Sequence, residues 1–178
     1  MTRSLLVELL GLLPAYDPWA LRDDPDTDLE RIRGLVGMLV RSTDRTLVPD
    51  LERELERCVD SGDDIGRDAI GEVLAGIAGL GALPALLRAS ARDLGDDQDW
   101  FQTIICEDLL RADPEGARPA VLELLDATDP ALRATAFWAL DHVLTDDDLP
   151  RILAAADDPD PTVRETARHL RDRLSKGR

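Results

Sequence analysis

Aromatic residues are scarce: three tryptophans, two phenylalanines and one tyrosine make up 3% of the 178 residues. Leu, Ala, Val and Ile must therefore fill any core, and Leu and Ala are strong helix formers. No stretch alternates apolar with polar residues long enough to propose a strand, so the reading contains no sheet. Cysteine occurs twice, at Cys58 and Cys106, with no CxxC spacing. That is the pattern of two small buried thiols in a cytosolic protein rather than a metal or redox motif. Histidine also occurs twice, at His142 and His169, with no His-x-x-x-His and no His-Glu pair. Those absences argue against a transition-metal site, and no cofactor is expected. No Gly-rich phosphate loop follows a strand, and Gly-x-Ser-x-Gly does not occur, so the common phosphate-binding and serine-hydrolase motifs are missing. Lysine occurs only at Lys176. Arginine everywhere else, with abundant Ala and Asp, is the composition of a GC-rich bacterial genome.

Long hydrophobic runs are missing too. Glu8 interrupts the apolar run from Leu5 to Leu13, and no small-x-small cleavage site follows, so no secretory signal is read there. The uncharged run from Val73 to Leu87 is too short to span a bilayer. Gly76, Gly79, Gly81 and Pro84 break it. It reads as a helix end, a turn and the start of the next helix. The expected location is cytoplasmic, without membrane contact.

Acid is what the sequence has in excess: 37 acidic residues against 21 basic, a formal charge of −16. Such a surface repels nucleic acid and anionic membranes and attracts a cationic protein face. It also keeps a protein soluble, with or without a partner. The alternating acids Asp24-x-Asp26-x-Asp28 look like the start of a calcium loop. Leu29 stands where glycine is needed and Leu35 where glutamate closes the loop, so the segment reads as a turn and a helix cap.

The strongest signal is internal repetition. Shifted by 31 residues, Pro119 falls on Pro150, Val121 on Ile152, Leu122 on Leu153 and Asp126 on Asp157. The match continues without a gap: Asp129 and Pro130 fall on Asp160 and Pro161, Arg133 on Arg164, Thr135 on Thr166 and Ala136 on Ala167. Proline suits the first turn of a helix, where its missing N–H is not needed. Apolar residues three and four apart make one buried stripe, and aspartate caps the exposed N–H groups of the second helix. Weaker copies start at Pro49 and Pro84, with second helices expected near Ile65–Leu80 and Asp99–Arg111. One more pair precedes them: a first helix over Ser4–Leu13 and a second starting at Thr27, where Thr-Asp-Leu-Glu has capping-box spacing. About five antiparallel helix pairs result, the arrangement of an all-α solenoid.

The segments Asp-Pro-Asp-Pro-Thr-Val-Arg-Glu-Thr-Ala at 158–167 and Asp-Pro-Ala-Leu-Arg-Ala-Thr-Ala at 129–136 resemble HEAT repeats. They are closest to the short bacterial kind also found in phycobilisome-lyase-like proteins. The likeness implies one HEAT-like domain over 1–178: a capping helix pair at 1–45, degenerate repeats at 46–117 and the clearest repeats at 118–174. In the earlier repeats the Val-Arg pair of the pattern becomes Ile65-Gly66 and Phe101-Gln102. The likeness further implies that Arg133 and Arg164 each reach an aspartate in a neighbouring turn, with Asp126, Asp129, Asp157 and Asp160 within the motif. HEAT-like hydroxylases carry iron on repeated His-Glu pairs, and HEAT-like glycosylases have a basic groove. This chain has neither.

In a stack, the acidic turns within pairs line up. Asp60, Asp63 and Asp64, then Asp93, Asp96, Asp97 and Asp99, then Asp126 and Asp129, then Asp157, Asp158 and Asp160 would form a ridge. The alternative is that each aspartate simply caps a helix. Second helices line the concave side of such stacks. With Leu132, Ala136, Leu140 and Val143 as the core stripe, Trp138, Asp141 and Ala134 point elsewhere. Glu165, His169 and Asp172 follow one repeat later, and Arg67 and Gln102 are similarly placed earlier. Trp138 either anchors a partner or fills a groove between repeats. The expected role is a non-catalytic protein-binding scaffold or adaptor with an acidic surface for a basic or mixed protein partner. Its binding residues are Asp93, Asp96, Asp97, Trp138, Asp141, Glu165 and His169. Two other readings stay open: an immunity or inhibitor protein that neutralises a basic toxin or nuclease, and a bilin-lyase-like enzyme subunit. Partner identity and oligomeric state are not legible in the sequence.

Overall fold

The computed structural model describes residues 1–13, 25–92, 94 and 100–176, and no strand occurs among them. The chain forms two compact units, Met1–Ala82 with Leu94–Asp96, and Leu83–Asp93 with Asp97–Arg178.

The first unit is built from α1 (Thr2–Leu12), α2 (Pro25–Ser42), α3 (Val48–Ser61) and α4 (Asp64–Ala78). Their apolar residues recur at helical spacing: Leu6, Leu9 and Leu13; Ile32, Leu35, Val36 and Leu39; Leu51, Leu55 and Cys58. Each set makes one buried stripe. Helix α1 packs on α2, and α4 packs on both α2 and α3. A Cβ added at Gly76 of α4 would lie 2.6 Å from Val40 of α2. Glycine there is what lets the two helices close. Gly62 ends α3 in the left-handed region (φ 72, ψ 26), where L side chains are rare, as in the common glycine C-cap. Asp63 follows and accepts the Gly66 N–H at 2.8 Å, starting α4 at once.

Two expectations are corrected here. Helix α2 begins at Pro25, not at a Thr27 cap, because proline already has the φ of a first turn. Arg67 does not face outward; it is 0% exposed. Buried residues occupy a broad face of α4, from Gly66 and Ala69 to Val73 and Ile77. Arg67 lies on the side of α4 that carries Ile70, Gly71 and Leu74, whereas the exposed Glu72 takes the solvent side. Arg67 instead donates through Nε and Nη2 to Asp68 at 3.0 and 2.7 Å.

The second unit contains α5 (Leu83–Ser90), a π-helical turn (Phe101–Cys106) running into α6 (Glu107–Ala112), then α7 (Pro114–Leu125), α8 (Pro130–Leu140), α9 (Leu149–Ala155) and α10 (Pro161–Lys176). Helices α7 and α8 form one pair and α9 and α10 the next, with α8 lying on α10. By length and composition alone, Asp64–Ser90 is apolar enough to cross a membrane. Gly79, at φ 59, ends α4 within it, and α5 starts at Leu83. This is the helix end, turn and new start that the glycines imply.

The 31-residue shift survives in the bonds. Asp129 accepts the Ala131 N–H at 2.9 Å, and Asp160 accepts the Thr162 N–H at 2.9 Å. Arg133 Nη1 donates to the Ala127 and Thr128 carbonyls, both at 2.9 Å. Arg164 Nη1 donates to the Asp158 and Pro159 carbonyls at 2.7 and 2.8 Å. Val121 and Ile152, and Ala136 and Ala167, are all fully buried.

Pro119 departs from expectation. It lies inside α7, which starts at Pro114 behind an Asp113 cap on the Gly116 N–H. An aspartate followed by proline makes a stronger helix start than Pro119 offers, so the helix begins earlier. Pro114 falls on Thr145 in the shifted register. There a 3-10 turn, Asp146–Asp148, leads into α9. Of the expected α8 stripe, Ala136, Leu140 and Val143 are buried, and Phe137 and Ala139 join them.

Candidate interaction surface

Repeat geometry places small residues of α8 opposite the start of α10. Ala131, Ala134 and Thr135 face Thr162 and Thr166 across a groove of about 410 Å³. Ser90 and Ala91 after α5, and Gln102 of the π-helical turn, line another side. Small side chains leave the space; Trp138 forms a wall. The tryptophan is half-buried, so it is neither fully outward nor fully consumed by packing. Its ring meets His142 edge-on, with centroids 5.1 Å apart and an interplanar angle of 63°.

Behind Trp138 lies a cluster of charged groups. His142 Nδ1 is 3.9 Å from Glu107, which also pairs with Arg111. Burial pushes the His142 imidazole below its usual value. Glu107 and Asp141 act to raise it, and Arg111 and Arg173 to lower it. Asp141 pairs with Arg173 of α10 through Oδ2, while its buried Oδ1 has no hydrogen-bond partner.

Among the expected binding residues that are described, only Trp138 lines the groove. Asp141 sits behind it, tied to Arg173. Glu165 and His169 are exposed on α10 and do not line the groove. Asp93, Asp96 and Asp97 lie outside the described residues, as does the start of the Asp24–Asp28 motif. Gln102 and Ala134, placed beside Trp138 by the repeat, do line the groove. Thr135 and Thr166 were visible as equivalent positions but carried no signal of exposure, since threonine is small and unremarkable in either setting. Ser90 and Ala91 had no signal at all.

Helix capping accounts for much of the acidic ridge. Asp63, Asp129 and Asp160 each accept a backbone N–H at a helix start. Asp113 and Asp44 do the same outside the expected set. Asp60, Asp126 and Asp157 remain exposed. Asp158 has a different task. Arg133 grips it with Nε and Nη2 at 3.0 and 2.9 Å. The expected partners were Asp126, Asp129, Asp157 and Asp160. Asp129 and Asp160 are turned to their caps, and the fork meets Asp158 instead. The Arg133 fork holds the Asp158 carboxyl below the ordinary carboxylate range. A second such link joins Arg118 to Asp148 at 2.8 and 2.6 Å. Burial pushes Asp148 up, but Arg118 and the Thr145 donors outweigh it and the net shift is downward.

Both cysteines are buried and neither forms a disulfide among the described residues. Burial and the nearby Asp63 carboxylate push the Cys58 thiol up to about 12, so it is no nucleophile near neutral pH. Among the described residues, no group of three or more His, Cys, Asp or Glu is placed to hold a metal.

No curated protein and no solved structure matches this chain. A family model of HEAT repeats matches residues 92–171, which span α6 to α9 and most of α10. With its paired helices and the same turn bonds repeating after 31 residues, the chain is similar to HEAT repeats over that stretch.

Proposed function

We propose that this protein is a non-catalytic binding module that docks a basic or mixed protein partner through the groove beside Trp138, aided by its acidic surface. HEAT repeats generally serve as protein-interaction scaffolds. The observation that carries the reading here is the groove itself. It is an open cleft of about 410 Å³ walled by a half-buried tryptophan and floored by small residues. Tryptophan in a partly desolvated wall is the residue type that most often dominates interface energy. The formal charge of −16 favours a cationic partner and speeds its approach at low salt. Asp93, Asp96 and Asp97, together with Asp141, Glu165 and His169, are the further contacts of this proposal.

The test starts from affinity capture in the source organism, followed by calorimetry with the recovered partner. Trp138→Ala is expected to weaken binding by about 2 kcal/mol, roughly thirtyfold. Reversing Asp93, Asp96 and Asp97 should weaken it further at low salt and leave the helical circular-dichroism signal unchanged. A partner that binds Trp138→Ala as tightly as the parent would remove the groove from the reading.

A further inference from the structure

The groove beside Trp138 has an acidic end and an aromatic end. Pro130 and Trp138 both line it and lie on α8, about 12 Å apart along the helix axis. Asp160, at the start of α10, lines it too. Arg133, in the first turns of α8, holds Asp158 and so fixes the turn that carries Asp160. Asp160 therefore stands toward the Pro130 end, and Trp138 marks the other. The described walls lie at the end of α5, in the π-helical turn, in α8 and no further than Thr166 in α10, so internal repeats build them.

The two ends differ in chemistry. Asp160 spends Oδ1 on the Thr162 and Val163 N–H groups, at 2.9 and 3.2 Å. Its Oδ2 accepts no hydrogen bond among the described residues, and none of those lining the groove is Lys, Arg or His. Around this turn, the carboxylates of Asp129, Asp158 and Asp160 outnumber the guanidinium groups of Arg133 and Arg164. At the far end, the half-buried Trp138 ring presents apolar area, with His142 set against it edge-on. Between the ends, Ala131 and Ala134 leave room for a main chain. The Gln102 amide on the same groove can donate to a peptide carbonyl and accept from a peptide N–H.

We propose that the groove takes an extended segment of a separate protein, with a basic residue at Asp160 and an apolar residue three or four positions away on Trp138. This rests on the groove reading above and names what the groove selects. Length sets the spacing. An extended chain advances about 3.3 Å per residue, so a span of about 12 Å separates residues three or four apart. Charge sets one end: a basic side chain meets an accepting Oδ2 and an overall charge of −16, whereas an acidic one meets repulsion from both.

The test uses the whole chain and two capped peptides, Arg-Ala-Ala-Leu and its reverse, Leu-Ala-Ala-Arg. The Trp138 indole N–H is followed by NMR during titration and is identified by its loss in Trp138→Phe. At least one peptide should shift it, with an affinity on the order of millimolar. Replacing the peptide arginine by glutamine should weaken binding about three- to fivefold. Asp160→Asn should weaken the arginine peptide by the same factor and leave the glutamine peptide unchanged. Asparagine caps a helix as well as aspartate does, so that loss reports the charge and not the fold. Moving the arginine next to the leucine should also weaken binding. The proposal is overturned if no peptide shifts Trp138, if the glutamine peptide binds equally, or if Asp160→Asn has no effect. A shift of Trp138 that ignores charge and spacing overturns it while leaving the groove reading in place. The groove reading itself falls only if the recovered partner ignores Trp138→Ala. Sedimentation showing a second copy of the chain in the groove, released by Trp138→Ala, would also overturn the proposal.

Discussion

The turns before α8 and α10 use the same scaffold and differ at one telling position. Both begin the following helix with aspartate and proline, and both close on an arginine that ties down two carbonyls. The second turn has Asp158 where the first has Ala127. Carbonyl bonds shape a turn locally, and so both turns are built alike. A carboxylate reached from the previous repeat joins layer to layer, and of these two turns the second provides it through Asp158. Shape and stacking are thus coded by different residues within one short motif.

The largest expected effect comes from removing the two arginines in turn. Arg133→Ala loses the carbonyl bonds and the partly buried carboxylate pair together, about 2–3 kcal/mol in urea unfolding. Arg164→Ala loses the carbonyl bonds alone and should cost under about 1 kcal/mol. Equal losses would mean that Asp158 does not separate the turns. Acid probes the same contrast with a smaller effect. Asp158 and Asp148 are held below their unfolded pKa, so their contribution is fully present above about pH 4 and lost as pH falls through the lower, folded value. Thermal melts from neutral to acidic pH should show that loss, and Asp158→Asn should flatten part of it. An acid profile unchanged by Asp158→Asn would remove the carboxylate from the account. The smallest effect concerns the missing link. Gln102→Arg with Ala127→Asp should show a favourable coupling of about 0.5 kcal/mol in a double-mutant cycle. The π-helical turn at Phe101–Cys106 limits it by shifting the phase of the arginine.

Architecture was legible because periodicity is a property of sequence. The 31-residue shift located α8 and α10 to the residue, at Pro130 and Pro161. Helix starts were less legible where two signals competed: Pro119 was eclipsed by Asp113 and Pro114, and Thr27 by Pro25. Side-chain destination was least legible. Arg67 reads as a surface residue until it is seen on the broad buried face of α4. Asp158 reads as one acid among several, because only the finished turn shows that Asp129 and Asp160 are engaged as caps. Thr135 and Thr166 gave no hint of the groove. Cavities come from what small residues fail to fill, and that depends on neighbours distant in sequence.

The two cysteines fall one in each compact unit, Cys58 in the first and Cys106 in the second, both out of reach of solvent. A thiol reagent can modify either one only after its surroundings open, so each sulfur keeps time for its own half. Followed by mass spectrometry on digested fragments, the pair distinguishes a molecule that breathes as a whole from one whose halves come apart on separate clocks. A matching rate at both sites would mark a single cooperative body, and unequal rates would identify the half that yields first.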